Sequence, residues 1–258
     1  MSKIYEPAGR AREYSPLALN FHKGCTHNCL YCYVPKMLGR FDTSYKHEDC
    51  VVSVNFDELE KSAKKFQGCN KQILLSFTGD PYCGVDKEAT RRVLEILNHY
   101  KHKVAILTKG GSRCLNDIDI FKSFGDRIKV GATLTFDNEI DSLMWESGAS
   151  LPQDRIDTLR VLKENGIKTW VSFEPVIIPE QSINLLKSVA DIVDHVKIGK
   201  INNYKGIDKG IDWGRFIFDA VRVCRDHNLK FYIKKDLLIH NQGVYLSGNE
   251  TNEDFLNL

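Results

Sequence analysis

From residue 17 to residue 235, short apolar runs alternate with stretches whose apolar residues recur at helical spacing, and that alternation leaves few folds open. The runs fall at 17–23, 72–77, 104–107, 129–135, 168–173 and 196–201, with a further one at 231–235. A continuous apolar run closed by Gly, Pro or Thr suits a strand buried on both faces, as in a parallel sheet. Helices are predicted between them. One spans 56–66 behind a cap at Asn55, with Leu59, Ala63 and Phe66 on one face. Another spans 87–100, and a shorter one runs from a cap at Asn116 to residue 124. Helices at 154–165, stopped by Gly166, at 183–193 and at 212–227 complete the series. Parallel strands need crossover connections, which helices supply with right-handed sense. The expectation is therefore α/β, a parallel (β/α) partial TIM barrel of about six strands, with its chemistry on the loops at the C-terminal strand ends. A chain of 258 residues suits one such barrel. We divide it into a polar lead-in at 1–16, a core domain at 17–240 and a tail at 241–258.

The loop after the first run reads Gly24-Cys25-Thr26-His27-Asn28-Cys29-Leu30-Tyr31-Cys32-Tyr33. Thiolates hold iron–sulfur clusters, commonly one per iron of a four-iron cube, so three leave one iron open. A structural zinc site closes with four ligands and would need another from His22, His27 or Cys50. Eight cysteines in 258 residues are too sparse for a disulfide scaffold and suit a reducing cytosol. No apolar signal segment opens the chain, and no run approaches the roughly 20 residues of a membrane span. The expected location is cytoplasmic, with no membrane partner. A net charge of +2 neither demands nor excludes nucleic acid. Basic residues do gather late, at Lys197, Lys200, Lys205, Lys209, Arg222, Arg225, Lys230, Lys234 and Lys235. They form either solvated faces or a phosphate-contacting edge.

The cysteine spacing, with an aromatic residue just before the third, resembles the signature of the radical S-adenosylmethionine (SAM) superfamily. The resemblance implies a 4Fe-4S cluster on Cys25, Cys29 and Cys32, with SAM chelated at the open iron. One electron would cleave the sulfonium to a 5′-deoxyadenosyl radical that abstracts hydrogen from a substrate. Cluster potentials span about −700 to +450 mV, and this cleavage needs the low end. An external low-potential donor of flavodoxin or ferredoxin type is therefore implied. Thr78-Gly79-Asp80 stands where the superfamily keeps a glycine-rich stretch for the amino group of SAM, and glycine permits close backbone approach. Lys109 stands where a charge-assisted contact to the SAM carboxylate would form. Thr133 and Thr135 share one face of the fourth run, and we assign the ribose contact to Thr133.

Residues 17–180 resemble the spore photoproduct lyase subgroup, through Cys29-Leu30-Tyr31-Cys32-Tyr33 and through the stretch from Trp145 to Arg155. That implies a place for Tyr33 in a radical relay and a nucleobase in DNA as substrate, to be repaired or modified. Tyr31 and Tyr33 packing over the cluster is the simpler alternative, as is a structural ion pair for Glu146 and Arg155. One departure stands out: the lyase ends its second strand with a hydrogen-returning cysteine, and Phe77 occupies that place here. Cys83 is the nearest substitute. The C-terminal third resembles a phage-associated radical SAM group, through Ser172-Phe173-Glu174-Pro175 and Phe231-Tyr232-Ile233-Lys234-Lys235. Glu174 and Lys234 would then bind substrate or tune a radical, while Trp213 packs. Two competing readings are an enzyme of this superfamily acting on a small molecule or peptide, and a zinc-stabilised nucleic-acid binding module without redox chemistry.

Overall fold

Seven parallel strands form one sheet in which spatial order repeats chain order. The computed structural model describes residues 2–41, 43–84, 87–202, 204 and 206–258. The strands are β1 (Leu17–Leu19), β2 (Gln72–Leu75), β3 (Lys103–Thr108), β4 (Ile128–Thr133), β5 (Lys168–Val176), β6 (His195–Lys200) and β7 (Lys230–Ile233). Each pairs in parallel with the next. Among the described residues β1 and β7 do not pair with each other, so the barrel is partial. The further run at the end of the sequence supplies its seventh strand.

The principal crossover helices are α1 (Phe56–Lys65), α2 (Lys87–His99), α3 (Ile118–Phe124), α4 (Pro152–Glu164), α5 (Pro179–Val189) and α6 (Trp213–Asp226). The Asn55 side chain accepts from Glu58 N at 3.1 Å, so the predicted cap forms. Asp212 caps α6 in the same way, accepting from Arg215 N at 2.9 Å. The outer sheet face and the helices enclose two apolar cores, one centred on Leu19, Ile73, Val104 and Phe121, the other on Val171, Val196, Ile217 and Ile233. Full burial of each such side chain is worth about 1.5–3 kcal/mol, which is why the strands read as largely apolar runs. Trp213 packs in the second core, as expected. Among the described residues no helix is long and apolar enough to cross a membrane.

Several boundaries differ from expectation for local reasons. The first run splits at Asn20, whose carboxamide oxygen accepts from Phe77 N at 2.7 Å. His22–Lys23 then leaves the sheet to pair antiparallel with Val51–Val52. Asn116 caps no helix: a 3-10 turn at Gly111–Asp117 precedes α3, and the Asn116 amide bonds back to Arg113 O at 3.0 Å. α5 begins four residues early because Pro179, with its φ pre-set, starts it. β5 runs on to Val176 through a register shift after Phe173. Helices at Val34–Leu38 and Glu139–Trp145 lie in loops that showed no helical pattern.

The lead-in and the tail both pack on the barrel. Glu13 accepts from Tyr232 Oη at 2.7 Å and from Lys235 N at 2.9 Å, while Ser15 Oγ donates to Gln72 O at 2.8 Å. The lead-in thereby bridges the strands nearest the seam. At the N-terminal strand ends, Lys129 Nζ donates to Leu256 O at 2.6 Å and Lys103 Nζ to Leu258 O at 3.0 Å.

Candidate active site

The opposite, C-terminal strand ends surround a cavity of about 780 Å³. Cys25, Cys29, Cys32, Tyr33, Thr78, Gly79, Asp80, Lys109, Thr133, Glu174 and Lys234 all line it. Every predicted site residue is thus brought to one space, from six segments spread over the chain.

The cysteine loop is held from several sides. Gly24 N donates to Thr78 O at 3.3 Å, Cys25 N to His47 O at 2.8 Å and Leu30 N to Trp145 O at 2.9 Å. Cys29 bridges to Glu146 through the backbone. These contacts need glycine at two places. A Cβ on Gly79 would meet Gly24 O at 2.5 Å, and one on Gly148 would meet Thr26 O at 2.0 Å. Asp80 ties the loop to the sheet: it accepts from Thr108 Oγ1 at 2.6 Å, Lys109 N at 2.8 Å and Tyr82 N at 2.8 Å, and its other face lies 3.4 Å from His27 Nδ1. Burial alone would raise this carboxyl, but His27 and the hydrogen bonds hold it well below the usual range. Asp80 is therefore an ionised strut, its oxygens occupied by the chain itself.

All eight cysteines are free thiols. Burial pushes Cys29 up to about 11 and raises Cys32. Contact with Cys83, then burial, raises Cys25. As free thiols they stay protonated at neutral pH, so binding metal must displace protons. Among the described residues no three His, Cys, Asp or Glu side chains converge to hold a single ion. A four-iron cube needs no such convergence, because it takes one thiolate per iron. The donor set fits the cube.

Lys109 is half-buried, its ammonium 5.5 Å from the Tyr31 ring centroid, and among the described residues it has no ion-pair partner. Thr133 and Thr135 part company here. Thr135 Oγ1 donates to Glu146 Oε1 at 3.2 Å, while Thr133 faces the cavity. Glu146 and Arg155 form a fully buried ion pair at 2.6 Å, each side chain 1% exposed. Arg155 also donates to Thr133 O at 2.9 Å and Ser150 O at 2.8 Å, and Tyr31 Oη donates to Glu146. Burial works against the Glu146 charge, yet Arg155 and Lys109 hold its carboxyl below the ordinary value. The structural ion pair is the reading that stands.

On the β5–β7 side, Lys234 Nζ donates to Glu174 Oε2 at 2.5 Å, and Tyr14 Oη donates to the same oxygen. Tyr33 Oη donates to Phe77 O at 2.9 Å. Tyr14, Tyr5 and Asn202 also line the cavity, and sequence reasoning missed all three. An aromatic residue in a polar lead-in carries no motif, so only the packing reveals it. Cys83 lies elsewhere: it is buried behind the loop, with Sγ 3.2 Å from Cys50 Sγ and its carbonyl accepting from Thr26. Cys83 does not line the cavity, although it touches Cys25, which does. Six of the nine late basic residues are buried or paired. Lys197 and Lys234 are buried, and Lys200, Arg222, Arg225 and Lys235 pair with Asp208, Asp219, Glu250 and Glu253. Lys209 and Lys230 are exposed, and Lys205 lies outside the described residues.

The family model of the Radical SAM superfamily matches residues 19–193. An uncharacterized protein of Methanocaldococcus jannaschii is 32% identical over 163 residues, covering 62% of this chain and 60% of that protein. The chain thus spans less than two thirds of that relative's length. An uncharacterized protein of Acidianus two-tailed virus is 29% identical over 224 residues, covering 79% of this chain and 73% of that protein. Spore photoproduct lyase, solved with bound AdoMet and dinucleoside spore photoproduct, superposes with a TM-score of 0.69 at 14% identity, covering 88% of this chain and 78% of that one. SuiB of Streptococcus suis, solved with S-adenosylmethionine, gives 0.65 at 16% identity, covering 89% of this chain and 53% of that one. The viral relative agrees with the phage-associated likeness of the C-terminal third. The chain belongs to the radical SAM superfamily, whose enzymes use a 4Fe-4S cluster and S-adenosylmethionine and draw an electron from an external donor.

Proposed function

We propose that Cys25, Cys29 and Cys32 hold the 4Fe-4S cluster and that the enzyme abstracts hydrogen from a nucleobase in DNA, to repair or modify it. The observation that carries this reading is a single cavity with three thiols and a half-buried ammonium without an ion-pair partner among the described residues on one side, and an aromatic wall with a Glu174–Lys234 pair on the other. When bound, the cluster supplies the electron for reductive cleavage of the SAM sulfonium. Lys109 binds the SAM carboxylate through a charge-assisted contact. The backbone at Thr78 and Gly79 receives the amino group, and Thr133 the ribose. Asp80 acts one step back, fixing the loop against β2 and β3. Tyr5, Tyr33 and Phe77 offer flat faces on which a base stacks. Glu174 and Lys234 meet its polar edge.

The fold likeness to spore photoproduct lyase, solved with a dinucleoside photoproduct, supports a nucleobase substrate. The burial or pairing of six of the nine late basic residues favours a second reading, in which the substrate is a small molecule or peptide. The electron donor is of flavodoxin or ferredoxin type, and the thiolate site suits a reducing cytoplasm. Anaerobically reconstituted protein should be brown and should form 5′-deoxyadenosine with SAM and dithionite. Retention on DNA that weakens as salt rises supports the nucleobase reading, because phosphate contacts release counterions. Absence of retention moves the substrate to the second class.

A further inference from the structure

We propose that Tyr14 is the hydrogen-atom donor of this cavity, returning hydrogen to carbon radicals formed there. This rests on the proposed radical chemistry of the site. A quenching group needs an X–H bond weaker than the C–H bond it forms, access to the cavity, and partners that hold the donor in place. A phenol meets the first condition. Tyr14 meets the others from the lead-in, a segment outside the cysteine motif and the strand ends.

Its ring packs edge-on to Phe77, with centroids 6.2 Å apart, and 6.4 Å from Trp170. The Lys234 ammonium sits 4.3 Å from the ring centroid. The hydroxyl donates to Glu174 and lies 2.9 Å from Ser172 Oγ. Lys197 Nζ fixes the backbone beneath, donating to Glu13 O at 2.6 Å and Tyr14 O at 3.2 Å. Tyr14 is thus clamped at both ends on the cavity wall, beside the two charged residues assigned to the substrate. The other cavity phenols are engaged differently. Tyr31 Oη is bound to Glu146, Tyr33 Oη to the Phe77 carbonyl, and Tyr5 Oη accepts from Asn20.

The step balances as follows. A carbon radical takes one hydrogen atom, a proton with its electron, from Tyr14 Oη. The O–H bond breaks, a C–H bond forms, and a neutral phenoxyl radical remains beside Ser172. Glu174 keeps its contact with Lys234 throughout. One electron from the external low-potential donor and one solvent proton restore the phenol.

The test needs no knowledge of the substrate. Reconstituted protein of all 258 residues cleaves SAM with dithionite in D2O, where the Tyr14 hydroxyl carries deuterium, and the 5′-deoxyadenosine formed is analysed by mass. Wild type should yield a monodeuterated fraction that Tyr14→Phe largely loses, with iron content and total 5′-deoxyadenosine measured in the same samples. An unchanged deuterated fraction in the variant overturns the role of Tyr14. No 5′-deoxyadenosine from wild type would instead sink the radical reading of the site. Should the variant load poorly, freeze-quenched wild type made with ring-deuterated tyrosine decides. A phenoxyl resonance that narrows with the label supports the proposal, and absence of any phenoxyl resonance overturns it.

Discussion

Glu146→Gln isolates what burial does to an ion pair. Arg155 and Glu146 meet at 2.6 Å with 1% of each side chain exposed, and Arg155 spends its remaining donors on Thr133 O and Ser150 O. Removing the negative charge leaves a guanidinium without water or counter-charge, which costs about 3–5 kcal/mol. At about 2–4 °C per kcal/mol for a chain of this size, the thermal midpoint should fall by about 6–20 °C. Arg160 and Asp157 supply the control: they also meet at 2.6 Å, but their side chains are 45% and 55% exposed. Asp157→Asn should cost no more than about 1 kcal/mol. Because Glu146 is held below its ordinary value, its contribution is present above the unfolded pKa and fades as pH falls through the folded one. The gap between wild type and Glu146→Gln should therefore close below about pH 4. Circular dichroism melts of both variants across pH provide the assay. A Glu146→Gln midpoint within about 2 °C of wild type at neutral pH would refute the reasoning.

Gly79→Ala forces a Cβ to within 2.5 Å of Gly24 O. Overpacking of this kind costs about 1–3 kcal/mol, and since it displaces the cysteine loop, iron bound per chain should fall with it. Lys197 is driven down to about 7, first by burial and then by Lys234. An unfolded lysine titrates near 10.4, so this site makes stability rise with pH between about 7 and 10. Urea titrations should show that Lys197→Met removes that part of the rise, and an unaltered pH slope would contradict the burial argument. Asn55→Ala should lose about 1 kcal/mol with the cap to α1, read as a shift in the urea midpoint.

The strands were legible because most are buried on both faces, which leaves a largely apolar run for each from β2 to β6, even where a residue such as Lys129 or Lys197 interrupts it. Where tertiary contacts set the boundary, reading failed. The break at Asn20 depends on an amide donated 57 residues away, and the 3-10 turn before α3 carries no periodicity. The site followed from placing motifs at strand ends, a rule of topology that needs no knowledge of side-chain contacts. The occupation of Asp80 and Thr135 by the chain's own donors could not be read in advance, because their partners lie on other strands and loops. Likewise the nine late basic residues look alike in a linear reading. Folding buries Lys197 and Lys234 and pairs four others.

The central claim is that three thiols, and no others, carry the cluster. Iron and sulfide analysis of anaerobically reconstituted protein, run beside Cys→Ala variants at 25, 29, 32, 50 and 83, tests it directly. The account predicts about four irons per chain in wild type, collapse of loading when Cys25, Cys29 or Cys32 is replaced, and retention when Cys50 or Cys83 is replaced. Colourless protein holding a single zinc, or full iron loading in a Cys25, Cys29 or Cys32 variant, would contradict it.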